Sequence, residues 1–97
     1  MNFLIIFYLS APNDLAFPRY EQLEQFVRER GWDSVAKEAG LEVGIISTGD
    51  SEAMIMNFIR PRLLPSDSVR LAVAPEFRTR DQLHNWALEY WRSGSTS

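Results

Sequence analysis

Ninety-seven residues with 45% hydrophobic side chains, a net charge of −3 and no cysteine fit one globular domain. The missing cysteine excludes a disulfide framework, a thiolate zinc site and a cysteine nucleophile. A whole-surface grip on nucleic acid is also disfavoured, because residues 1–50 carry eight acidic and four basic side chains and residues 51–97 carry five and six, which leaves room only for a local basic patch.

Residues 2–10 read as a strand. Leu4-Ile5-Ile6-Phe7-Tyr8 is a continuous apolar run of β-branched and aromatic types, as expected of a central strand covered on at least one face. The apolar stretch from Phe3 to Leu9 is too short to cross a bilayer, and no Lys or Arg precedes it, so a buried strand explains it better than a membrane span or a leader. Ala11-Pro12-Asn13-Asp14 stops the strand, since Pro12 cannot donate to a ladder. A helix opens at Pro18 or Arg19 and runs to about Arg30, with Tyr20, Leu23 and Val27 as its inward stripe and Gly31 as its stop.

Residues 32–39 fit either a strand or a short helix. The strand reading is preferred, because it forms a hairpin about Gly40 with a strand over residues 41–48; in the helical reading Gly40 is a C-cap. Asp50 is the expected N-cap of a helix over residues 52–60, whose apolar face is Met54, Ile55, Phe58 and Ile59. Pro61 ends or kinks that helix, and residues 65–68 form a turn. Residues 69–74 alternate as a strand, with Val69, Leu71 and Val73 on one side and Arg70, Ala72 and Ala74 on the other. Thr79 and Gln82 match a capping box, which opens a last helix reaching about Trp91 with Leu83, Trp86, Ala87 and Tyr90 in one stripe. No internal repeat is read. Residues 1–92 make a single domain and residues 93–97 a polar, disordered tail.

The order β-α-β-β-α-β, with helices on one face of a mostly antiparallel sheet, predicts an α+β fold: a ferredoxin-like sandwich with an appended C-terminal helix. Across residues 2–76 the chain resembles the small CRISPR-associated proteins of the Cas-two type and their SinR-like relatives. The residues that carry the resemblance are a first strand ending in Ile6-Phe7-Tyr8-Leu9-Ser10, a helix closing at Gly31-Trp32, and a second helix closing through Ile59-Arg60-Pro61-Arg62 into Pro65-Ser66-Asp67-Ser68-Val69-Arg70-Leu71. The resemblance implies dimerisation through the sheets. It also implies an Asp directly after the first-strand Tyr, and here that position is Leu9, which cannot ligate a hard divalent cation. The chain therefore resembles a member without nuclease activity.

No catalytic residue and no cofactor are assigned, and enzymatic activity is not the favoured reading. Asp14, with Glu21 or Asp50, is the one weak metal candidate, and scattered surface acids are the more economical account. His84, the only histidine, falls off the apolar stripe of its helix and is read as exposed or facing a partner, with no identifiable group to position it for base catalysis. Ser47-Thr48-Gly49-Asp50-Ser51 lies at a strand-to-helix junction, but it lacks the Lys of a phosphate-binding loop and reads as ordinary capping.

Arg60, Arg62, Arg70, Arg78 and Arg80, with Phe77 among them, are the nucleic-acid-binding candidates, because Arg grips phosphate and an aromatic ring can stack on a base. Balanced surface charge accounts for most of them. Trp86, Tyr90 and Trp91 are the interface candidates, with Trp86 and Tyr90 expected in the core and Trp91 exposed. The leading functional expectation is a non-enzymatic interaction module acting as a homodimer in the cytoplasm. It allows a protein partner, disfavours nucleic acid and involves no membrane. The alternatives are a divalent-metal nuclease using Asp14 and a nucleic-acid-binding regulator using the Arg60–Arg80 patch.

Overall fold

The computed structural model describes residues 1–9, 18–38 and 40–94 of the chain. Over these described residues the fold is α+β, with one four-stranded antiparallel sheet and three helices. The elements run β1 (Asn2–Tyr8), α1 (Pro18–Glu29), β2 (Asp33–Glu38), β3 (Leu41–Ser47), α2 (Glu52–Ile59), a 3-10 turn (Arg60–Arg62), β4 (Ser68–Val73) and α3 (Arg80–Gly94). The sheet order is β2-β3-β1-β4. Of the ambiguous stretch 32–39, Asp33–Glu38 is the strand half of a hairpin, with Gly40 turning at φ +80°. A Cβ at Gly40 would also stand 2.9 Å from the Leu9 carbonyl oxygen.

β1 is buried along Phe3 to Phe7 because both of its faces are covered. Phe3, Ile5 and Phe7 join Ile46 of β3 beneath Leu23, Phe26 and Val27 of α1 and Ile55 and Ile59 of α2. Leu4 and Ile6 join Val43 and Ile45 on the opposite face, where Ala87 is buried and Leu83, Trp86 and Trp91 pack as partly buried side chains of α3. The appended helix is therefore a third layer. The period-2 alternation of strand side chains makes this possible, for a fully apolar strand sends successive residues into two separate cores.

Several local expectations need correction. Phe26 joins Leu23 and Val27 as a buried residue of α1, and the Tyr20 side chain lies outside the described positions. Ser51 caps α2, its hydroxyl accepting from Met54 N–H at 3.2 Å, whereas Asp50 turns to Arg30 at 3.0 Å. Met54 stands exposed. α3 continues to Gly94, so residues 93 and 94 are helical and residues 95–97 lie outside the described set. On that helix Trp91 is partly buried against the second core while Tyr90 is exposed, the reverse of the expectation.

α1 and α2 meet through a four-layer stack. The Arg30 guanidinium lies 3.6 Å above the Phe26 ring, Phe26 stacks on Phe58 at 4.1 Å, and the Arg62 guanidinium lies 3.7 Å above Phe58. Each Arg also donates to the carbonyl four residues before it, Arg30 to Phe26 at 2.9 Å and Arg62 to Phe58 at 2.8 Å. The two segments read Gln-Phe-Val-Arg-Glu-Arg over residues 25–30 and Asn-Phe-Ile-Arg-Pro-Arg over residues 57–62. The chain does contain a short repeat, and its two copies face each other across the helix pair.

Gly44 gives a test of this packing. A Cβ there would lie 2.4 Å from the Trp32 ring, which itself packs beside Phe7. Gly44→Ala is expected to lower stability by about 1–3 kcal/mol, the usual cost of overpacking a closed core. Gly49→Ala, where nothing lies within 4 Å, should stay near wild type in the same urea titrations. Equal midpoints for the two variants would show that Trp32 moves aside freely.

Candidate functional site

Three elements meet at one end of the sheet. β4 leads into residues 74–79, which cross the ends of β1 and β3 before α3 begins. Ala74 N–H continues the ladder by donating to the Asn2 carbonyl at 2.9 Å. Thr79 then caps α3, accepting from Gln82 N–H at 3.3 Å, and Gln82 Oε1 reaches back to accept from Arg78 N–H at 3.2 Å. The capping box works as the sequence suggests, displaced by one residue on its return arm.

This crossing leaves an open cleft of about 260 Å³ whose lining includes Asn2, Asp33, Ser47, Phe77, Arg78 and Arg80. Asp33 is its most constrained group. The register that pairs Asp33 with Ile45 turns its side chain toward α3. There one carboxylate oxygen accepts from Arg80 Nε at 2.7 Å and from His84 Nε2 at 2.8 Å. The His84 hydrogen bond, aided by the Arg80 bond and by the Coulombic influence of the two side chains, holds the Asp33 carboxyl below its usual value against the opposing effect of burial. An ionised carboxylate only accepts, so Nε2 carries the proton of that bond. His84 is therefore half-buried and partnered, contrary to the sequence expectation, with Asp33 joining α3 to β2. The sequence signal for this was faint, since Asp33 and His84 stand 51 positions apart.

The arginine group does not form one patch. Arg62 is committed to α1 and α2, with Nε donating to Gln22 Oε1 at 2.8 Å while its plane covers Phe58. Arg60 is exposed in the 3-10 turn. Arg70 is exposed on β4, opposite Ile6 of β1. Only Phe77, Arg78 and Arg80 converge, at the cleft, and Arg80 is already paired with Asp33. Phe77, Trp86 and Tyr90 form an aromatic row with centroid separations of 6.3 and 5.3 Å. Among the described residues no group of three His, Asp or Glu side chains converges to hold a metal ion. Asp14, the metal candidate, lies outside the described residues.

The two sheet edges differ. β2 carries a register irregularity between Ser34 and Ala36, and its outer half bears the exposed Lys37 and Glu38. β4 pairs with β1 without irregularity and reads Ser-Val-Arg-Leu-Ala-Val, with Val73 half exposed. Bulges and charges discourage pairing at an edge, and only β2 has both. Among the described residues no helix is long and apolar enough to cross a membrane. No protein-family model matches the chain, and neither the curated proteins nor the solved structures provide a match.

The Asp33 cluster sets an acid-side test. A carboxyl whose folded-state value is depressed stabilises the fold fully above its unfolded-state value, and loses that contribution as pH falls through the folded one. The stability gap between wild type and Asp33→Asn should therefore be widest near pH 7 and close toward pH 3, followed by urea midpoints at several pH values. A gap unchanged across that range would mean that the cluster adds nothing through charge.

Proposed function

We propose that the chain is a non-enzymatic, ferredoxin-like interaction module that acts as a homodimer. The sheet order supports the ferredoxin-like reading: β1-α1-β2 and β3-α2-β4 each step over one intervening antiparallel strand, and both helices lie on one face. The inequality of the two edges carries the functional reading. An unbulged edge such as β4, apolar but for Arg70 and Ser68, is a template for strand addition unless something covers it, and natural sheets avoid leaving one bare. Dimerisation is also what the resemblance to the Cas-two-type proteins implies, with Leu9 in place of the first-strand Asp setting the chain apart from members that cut nucleic acid. A cysteine-free chain is at home in the reducing cytoplasm, where this reading places it.

A second reading has a specific observation behind it. Phe77 and Arg78 stand together at an open cleft, as a stacking ring beside a cation would in a single-strand binder. On that reading, Arg78→Ala with Arg80→Ala abolishes a salt-sensitive anisotropy change with labelled single-stranded DNA.

Light scattering on size-exclusion eluate decides the main reading. A mass of twice 11.2 kDa that persists through a hundredfold dilution is expected. A mass of one chain at every concentration would overturn the homodimer.

A further inference from the structure

The hydrogen-bond parity of β4 defines how a second copy would sit on it. Asn2 and Ala74 are an opposed pair joined by Ala74 N–H to the Asn2 carbonyl. Bonded and non-bonded pairs alternate along an antiparallel ladder, so Leu4–Ala72, Ile6–Arg70 and Tyr8–Ser68 are the remaining bonded pairs. The other side of β1 has the complementary parity, since Thr48 N–H donates to Met1 and Leu9 N–H to Gly40. The backbone N–H and C=O groups of Val69, Leu71 and Val73 therefore point away from β1, along the free edge. Among the described residues none of them has a backbone partner on that side.

We infer that β4 pairs antiparallel with β4 of a second copy about a two-fold axis through Leu71, giving one continuous eight-stranded sheet. This rests on the homodimer reading and specifies its interface. A two-fold axis perpendicular to the sheet keeps each side chain on its own face, so the axis must pass through a residue pair rather than between residues. Three registers then join at least two of these edge residues in each strand. Centring on Arg70 places Arg70 directly against its own copy, a like-charge pair that destabilises a sheet, and joins only Val69 with Leu71. Centring on Ala72 joins only Leu71 with Val73. Centring on Leu71 opposes Val69 with Val73 and Leu71 with itself, so that all six edge groups of each strand find partners.

That register is also self-complementary in its side chains. Val69, Leu71 and Val73 of both copies line the face that carries α1 and α2, which gives the half-exposed Val73 an apolar neighbour. On the other face Arg70 stands opposite Ala72 rather than another charge. A foreign strand has no such constraint on its sequence, whereas a second copy satisfies hydrogen bonding, charge and face with the residues already present.

The cysteine-free chain makes disulfide trapping clean. Directly opposed bonded residues have Cα atoms about 5.5 Å apart, within disulfide reach. Leu71→Cys alone should oxidise to a covalent dimer seen on non-reducing gels, while Arg70→Cys alone, offset from its own copy by two residues, should not. A mixture of Val69→Cys with Val73→Cys should yield the heterodimer and neither homodimer, and it provides the same readout should Leu71→Cys fold poorly. Crosslinking of Arg70→Cys with none at position 71 would overturn the register. A dimer by light scattering that no cysteine at positions 69–73 traps would overturn the β4 interface and leave the homodimer standing. A monomer by light scattering would overturn both, and would assign the edge to a different partner.

Discussion

Five consecutive buried residues in β1 oblige the chain to supply two separate covering layers, one for Phe3, Ile5 and Phe7 and another for Leu4 and Ile6. Burying an apolar side chain of this size is worth about 1.5–3 kcal/mol, so leaving either face in water would forfeit much of the stability of so small a domain. α1 and α2 meet the first demand and α3 meets the second. β1 is also bonded on both sides, to β3 and β4, which leaves β2 and β4 as the edges of the sheet. The position of each remaining element follows from the need to close around this strand.

The helical layer over the first core is held by a device used twice. In each copy an Arg folds back over the Phe one helical turn before it and donates to that residue's carbonyl, which satisfies an acceptor near the helix C-terminus. The two Phe rings then stack across the helix pair. Neither Arg is free for a ligand, since Arg30 also holds Asp50 and Arg62 also holds Gln22. This explains why the count of arginines overstates the basic surface.

The third layer is fastened differently. α3 rests on Ala87 with Leu83, Trp86 and Trp91, and its polar tie is the shared carboxylate of Asp33. That tie belongs to β2, so one outer strand is engaged by α3 as well as by its bulge and its charges. Among the described residues β4 receives no comparable protection along its outer backbone. The asymmetry arises because the chain crosses from β4 at one side of the sheet to α3, which packs toward β2 and β3 at the other.

Much of this architecture is legible in local signals. The continuous apolar run of β1, the alternation of β4, the glycines at positions 31 and 40 and the Thr79–Gln82 box each act within a few residues, so element type and order can be read from them. Other features depend on residues far apart in the chain. Whether residues 32–39 become a strand depends on β3 being present to pair with them. Whether Asp50 caps a helix or binds Arg30 depends on where α1 ends. His84 finds a partner only because the β2 register turns Asp33 toward α3, and Tyr90 and Trp91 exchange exposure because the helix rotates to fit the sheet. By itself the sequence determined which segments are strands and helices and that β1 would be central, since propensity and period are local properties. The tertiary structure alone decided which arginines remain free, which faces close and which edge stays open, because those follow from packing between elements that the sequence keeps apart.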